Sequence, residues 1–123
     1  MPKVLLLQFD TDPACAQRRD ILAKAQMTIV EAAPRWPIFF DVVTAERPDV
    51  IVIAASRIPS HAYEAARYIG DGFNTRNIPV LLVDVARKDI TKAKNAAPQA
   101  QIVERPGLVD AIKAALKPKI SAG

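Results

Sequence analysis

Apolar residues gather in five short runs along the chain, and a helical period follows each of them. Residues 3–9 form the first run, dominated by Val4, Leu5, Leu6 and Leu7. Asp12-Pro13 then offers a carboxylate suited to an N-cap and a proline suited to the first helical position. Over residues 13–26, Ala14, Ile21, Leu22 and Ala25 fall near one face of a helix, with Arg18, Arg19 and Lys24 distributed around the remainder. Residues 28–32 make a brief second β-prone run. Residues 38–46, after Pro34 and Pro37, are rich enough in Ile, Phe and Val to pass for a strand. A parallel sheet needs a crossover at this point, however, and a helix is the expectation.

Residues 50–55 are β-prone or apolar without alternation, the pattern of a central strand buried on both faces. Pro59-Ser60 starts a helix in which Ala62, Ala65, Ala66 and Ile69 face the core, and Gly70-Asp71-Gly72 is expected to stop it. Residues 80–83 form the fourth strand, and residues 87–95 a short polar helix. Residues 101–103 form the fifth strand. Pro106-Gly107 opens the last helix, where Leu108, Val109, Ile112 and Leu116 make one stripe. Five strands alternating with five helices across 123 residues, with no linker, repeat or low-complexity tract, give a single doubly wound α/β domain spanning residues 1–123. Right-handed crossovers place its crevice at the carboxyl ends of the strands. The residues to watch there are Asp10, Thr11, Ala54, Ala55, Ser56, Asp84 and Arg105.

Composition removes several function classes. Cys15 and His61 are the only cysteine and the only histidine, too few for a disulfide scaffold or a Cys/His metal site. As a nucleophile and base they sit in the first helix and at the start of the third, with nothing in the sequence to bring them together. No apolar stretch approaches a membrane span or a signal peptide, which makes the cytoplasm the expected location. Trp36 with Phe39-Phe40 suggests either an exposed aromatic patch or, more simply, a cover for the sheet.

The net charge of +4 is uneven. Residues 86–123 hold eight basic and three acidic residues, a balance of +5, against −1 for the first 85. The excess therefore belongs to the last third, as a solvated helical surface or as a face for an acidic partner.

Three stretches of sequence resemble the receiver domain of bacterial two-component response regulators. Pro48-Asp49-Val50-Ile51-Val52-Ile53 is similar to that family's run into its third strand, and Ile78-Pro79-Val80-Leu81-Leu82 to its fourth strand. Residues 97–106 align without a gap to its fifth-strand motif. The resemblance covers nearly the whole chain and implies a flavodoxin-like (βα)5 fold, a five-stranded parallel sheet in a three-layer αβα sandwich, with no output domain attached.

The family's chemistry needs an acidic pair after the first strand and an aspartate ending the third. It also needs a Thr or Ser ending the fourth and a lysine ending the fifth, so that a divalent cation and an ammonium neutralise the phosphoryl group. In this chain the phosphoacceptor position falls on Ala54 or Ala55 in either register. The acidic pair becomes Asp10 and Thr11, or Gln8 and Phe9. The hydroxyl position holds Asp84, the lysine position Arg105, and the family's aromatic switch residue is Ile102. No metal or cofactor is expected, and Ser56 reads as a loop hydroxyl without a base. Asp84 and Arg105 are expected to form an ion pair in the space where a phosphoryl group would sit.

The resemblance thus implies a stand-alone pseudo-receiver, not an enzyme, acting by phosphorylation-independent protein contact in bacterial signalling. The expected partner is a signalling protein with an acidic surface, or a second copy of the chain. It would meet a face bordered by Arg87, Lys88, Lys92, Lys94, Lys113 and Lys117, with Ile90 and Leu108 as apolar contacts. A small anionic ligand or nucleotide bound beside Arg105 is the alternative, weakened by the acidic, glycine-free Asp10-Thr11-Asp12-Pro13. Nucleic acid has no motif to support it.

Overall fold

In the computed structural model, residues 2–9, 11–56 and 59–116 are described. Strands β1 (Lys3–Leu7), β2 (Thr28–Ala32), β3 (Val50–Ala54), β4 (Val80–Val83) and β5 (Gln101–Val103) alternate with helices α1 (Cys15–Lys24), α2 (Ile38–Glu46), α3 (Pro59–Asp71), α4 (Ile90–Ala96) and α5 (Leu108–Leu116). All pairings are parallel and the sheet order is β2-β1-β3-β4-β5. The order reverses between β1 and β3, which fixes the crevice above the carboxyl ends of β1, β3 and β4.

The continuous apolar runs are explained by burial on both faces. Every residue of β3 and β4 is buried, whereas the edge strands β2 and β5 are only partly covered. Leu5, Leu7, Ile51, Ile53 and Leu82 face α2, α3 and α4, packing on Phe39, Val43, Ala62, Ile69 and Ala93. Val4, Leu6, Val50, Val52 and Leu81 face α1 and α5, packing on Leu22, Leu108 and Ile112. Residues 38–46 are helical despite their β propensity, because Phe39 and Val43, four residues apart, cover the sheet from one helical face. Trp36 is 58% exposed and rests on Phe39, Phe40 and Tyr68. The aromatic cluster is thus half cover and half surface.

Several element ends differ from the sequence expectation. The first strand stops at Leu7 rather than at residue 9. The first helix begins at Cys15, not at Pro13, with Ala14 at its N-cap position. Asp12 does accept from the Ala14 amide at 2.9 Å. The third helix runs through Gly70 to Asp71, and Gly72 closes it by donating to the Tyr68 carbonyl at 3.0 Å. Leu108, expected on the partner face, is fully buried between α5 and the sheet and is corrected to a core residue. Arg18, expected on the solvent side of the first helix, is also fully buried. Among the described residues no helix is long and apolar enough to cross a membrane.

Candidate functional site

The crevice is occupied by side chains of the chain itself. Arg18 enters from α1, four residues before Leu22, on the same helical face that packs against the sheet. Its guanidinium would be costly to bury alone, and every side of it finds an oxygen. Nε donates to Asp84 Oδ2 at 2.8 Å, and Nη1 to Gln8 Oε1 at 3.1 Å and Asp12 Oδ2 at 3.0 Å. Nη2 donates to Ser56 Oγ at 2.5 Å, and the Ser56 hydroxyl donates in turn to Asp12 Oδ2 at 2.5 Å.

The expected Asp84 and Arg105 pair is present, with Arg105 Nη2 3.1 Å from Asp84 Oδ2. Arg105 also donates to the Gln17 side chain on α1. Two guanidiniums and two carboxylates, contributed from the ends of β4 and β5, from α1 and from the loop after β1, therefore form one neutral network. Asp84 holds its carboxylate between both arginines from a left-handed backbone, φ 61°. Aspartate is among the few side chains that adopt this region at modest cost.

Ala54 and Ala55 are both buried at the end of β3 and present only methyl groups. Thr11 is exposed, and no side-chain hydrogen bond joins it to the network; Asp10 lies outside the described residues. The carboxylate that does enter the crevice beside β1 is Asp12, one residue beyond the Asp10-Thr11 pair and expected only as a helix cap. Gln8 stands directly after β1. Among the described residues no group of three or more His, Cys, Asp or Glu could hold a metal ion. The Arg18 guanidinium lies between Asp12 and Asp84.

Ser56, expected as a loop hydroxyl, is a member of the network. Arg18 was legible in principle, because it lies on the stripe of Ala14, Leu22 and Ala25 at helical spacing, but its charge argues for solvent unless its partners are known. Cys15 is buried, with its thiol donating to the Phe9 carbonyl, and burial followed by the nearby Asp12 charge pushes its pKa up. Those are the conditions of an inert thiol. His61 packs edge-on against the Phe9 ring, 5.7 Å between centroids.

Asp12 gives the network a pH signature. Burial raises its carboxyl pKa, but the hydrogen bonds from Ser56, the Ala14 amide and Arg18, together with the Arg18 charge, outweigh burial and leave it below the ordinary aspartate value. A lowered native pKa contributes stability in full above the unfolded value of about 3.9, and that contribution is lost as pH falls through the native value. Denaturant unfolding of the native chain should accordingly lose stability below about pH 4 more steeply than Asp12→Asn does. Identical slopes would remove Asp12 from the account.

The fold has close counterparts among solved structures. The receiver domain of a signal transduction histidine kinase from Syntrophus aciditrophicus superposes with a TM-score of 0.77 at 16% identity, over 98% of this chain and 94% of that one. The receiver domain of a modulated diguanylate cyclase from Desulfovibrio desulfuricans G20 gives 0.70 at 17% identity, over 94% of each chain. That of a sensor histidine kinase from Pseudomonas aeruginosa PAO1, with a magnesium ion coordinated in its active-site cleft, gives 0.64 at 17% identity, over 94% of this chain and 97% of that one. No family model matches the sequence, and no curated protein is similar to it. At these identities the likeness establishes the fold, which is that of receiver domains.

Proposed function

We propose that this chain is a pseudo-receiver, a signalling module that works by protein contact without being phosphorylated. The observation that carries the proposal is Arg18. Its guanidinium, fully buried, is bonded to Gln8, Asp12, Ser56 and Asp84 in the crevice, while the end of β3 offers alanine. An acyl phosphate needs a carboxylate nucleophile, and a cation would have to compete with Arg18 for Asp12 and Asp84. An anionic ligand or nucleotide is similarly opposed, because it would have to displace Asp84 from two arginines at once.

A partner has a defined place to bind. Between α4 and β5 lies a groove of about 500 Å³, lined by the apolar Val85, Ile90, Ile102, Val103 and Pro106, by Arg87 and Arg105, and by the acids Asp84 and Glu104, of which Asp84 is already paired with Arg105. Isolated surface charges contribute little to affinity, and this groove supplies the apolar centre that a charged face requires. Lys88, Lys94 and Lys113 are exposed, Lys92, expected on this face, instead lines a groove between α3 and α4, and Lys117 lies outside the described residues. A partner with acidic groups around an apolar anchor fits this face, and a second copy of the chain is the other candidate.

The test is intact-mass measurement after incubation with acetyl phosphate and magnesium. The expected result is an unchanged mass, and a stoichiometric phosphoryl adduct on any residue would overturn the proposal. Size measurement by sedimentation at low and high salt, with Ile90→Glu beside the native chain, then separates self-association from capture of a different protein.

A further inference from the structure

Among the described residues the exposed large hydrophobic side chains are Trp36, Ile38, Tyr68 and Phe73, and all four belong to α2, α3 and the segments that flank them. None of them lines the groove between α4 and β5. Trp36 is held in place by neighbouring rings, with centroids 5.0 Å from Tyr68, 5.3 Å from Phe40 and 5.8 Å from Phe39. The turn that carries Phe73 abuts the same cluster, since a Cβ at Gly72 would stand 3.6 Å from Phe40 Cε2. Phe73 itself is 79% exposed, with the Arg76 guanidinium 5.1 Å from its ring centre. Aromatic side chains present about 150–250 Å² each, so the exposed fractions of Trp36, Tyr68 and Phe73 leave roughly 300–450 Å² of ring surface. That is roughly half of the ~800 Å² that each partner of a stable complex buries.

The charges around these rings decide what can cover them. Residues 35–41 and 64–76 carry Arg35, Arg67 and Arg76 against Asp41, Glu64 and Asp71, all exposed, a balance of zero. Arg35 and Glu64 line a hollow of about 250 Å³ together with Trp36 and Tyr68, and Arg67 and Asp71 pair one helical turn apart at 3.9 Å. The chain as a whole is basic. Two copies carrying +4 each repel one another wherever their positive faces approach, most of all over residues 86–123 with their balance of +5. A neutral face with an apolar centre is where that repulsion is least. In a two-fold contact the same patch is used twice, so equal numbers of acids and bases let the acids of one copy meet the bases of the other. A strongly acidic or strongly basic partner finds no such match here.

We propose that the face formed by α2 and α3 is a self-association surface, covered in solution by a second copy of this chain in a two-fold contact centred on Trp36, Tyr68 and Phe73. Trp36 is ordered by its neighbours before contact, which lowers the entropy that association costs. Removal of the rings from water supplies the driving force, and the balanced charges form the rim. The crevice network plays no part in it, and this surface and the groove between α4 and β5 are tested by different variants.

Sedimentation equilibrium of the full chain, from micromolar to millimolar concentration, is the test. An equilibrium between monomer and dimer is expected, no weaker at high salt than at low, because screening removes the repulsion between two positive chains. Trp36→Ala should weaken the dimer at least about thirtyfold, the loss of a central aromatic anchor. Phe73→Ser should also shift the equilibrium toward monomer. Its side chain is too exposed to support the fold, so this variant should keep the native melting midpoint at dilutions where the chain is monomeric. Ile90→Glu should leave the dimer unchanged. The proposal is overturned if the chain stays monomeric at millimolar concentration, if Trp36→Ala or Phe73→Ser dimerises as tightly as the native chain, or if Ile90→Glu abolishes the dimer.

Discussion

Arg18→Ala is expected to destabilise the protein by about 3–5 kcal/mol, the cost of removing one partner from a buried ion pair. The substitution leaves Asp12, which is 6% exposed, without its cation and strips Asp84 of one of its two arginines. Ser56 and Gln8 lose the donor they share. Urea unfolding measures this directly, as a lower midpoint with an unchanged slope. Arg19→Ala, at the adjacent residue, is the control. Arg19 is paired with Glu31 at the surface, 2.9 Å away, and its loss should cost less than about 1 kcal/mol. Arg18→Lys should fall between the two, since one ammonium cannot reach the same four acceptors in the plane of a guanidinium. Equal effects at positions 18 and 19 would mean that the network contributes nothing beyond an ordinary surface pair.

Leu108→Ala is expected to cost about 2–5 kcal/mol by leaving a cavity under α5. Leu108 is fully buried against the sheet beside Leu22 and Ile112, within the cluster that contains Val50, Val52 and Val83. Its position in an apolar stripe is equally compatible with a docking surface, and the variant separates these roles. Lys113→Ala, on the exposed side of the same helix, should change stability by no more than about 0.5 kcal/mol. If Leu108→Ala instead unfolds at the native midpoint, the packing of α5 on the sheet is wrong.

These two residues also mark the limit of what a hydrophobic pattern conveys. The three inner strands were legible because β1, β3 and β4 are covered on both faces, and such strands must be continuous apolar runs. Helix α2 was legible against its own propensity, since a parallel connection between β2 and β3 requires a crossover. The stripe of α5 was equally plain, but amphipathicity cannot state what covers the apolar face. Leu108 meets the sheet, while Ile90 borders an open groove. Helix ends were the least legible, because α1 starts where Asp12 and Ala14 close a turn rather than at the proline.

The sequence by itself determined the order of elements, the parallel sheet and the absence of a carboxylate at Ala54 and Ala55. Burial has a period and a missing functional group is visible by inspection. The tertiary structure alone decided where the charges go. Arg18 and Asp84 are 66 residues apart in the chain, and Ser56 and Asp12 are 44 apart. No local pattern links residues so distant, and a buried arginine is tolerable only once the fold has brought its oxygens within about 3 Å. That convergence turned a charge expected in solvent into the centre of the crevice, because only the folded chain supplies the oxygens that a buried guanidinium requires.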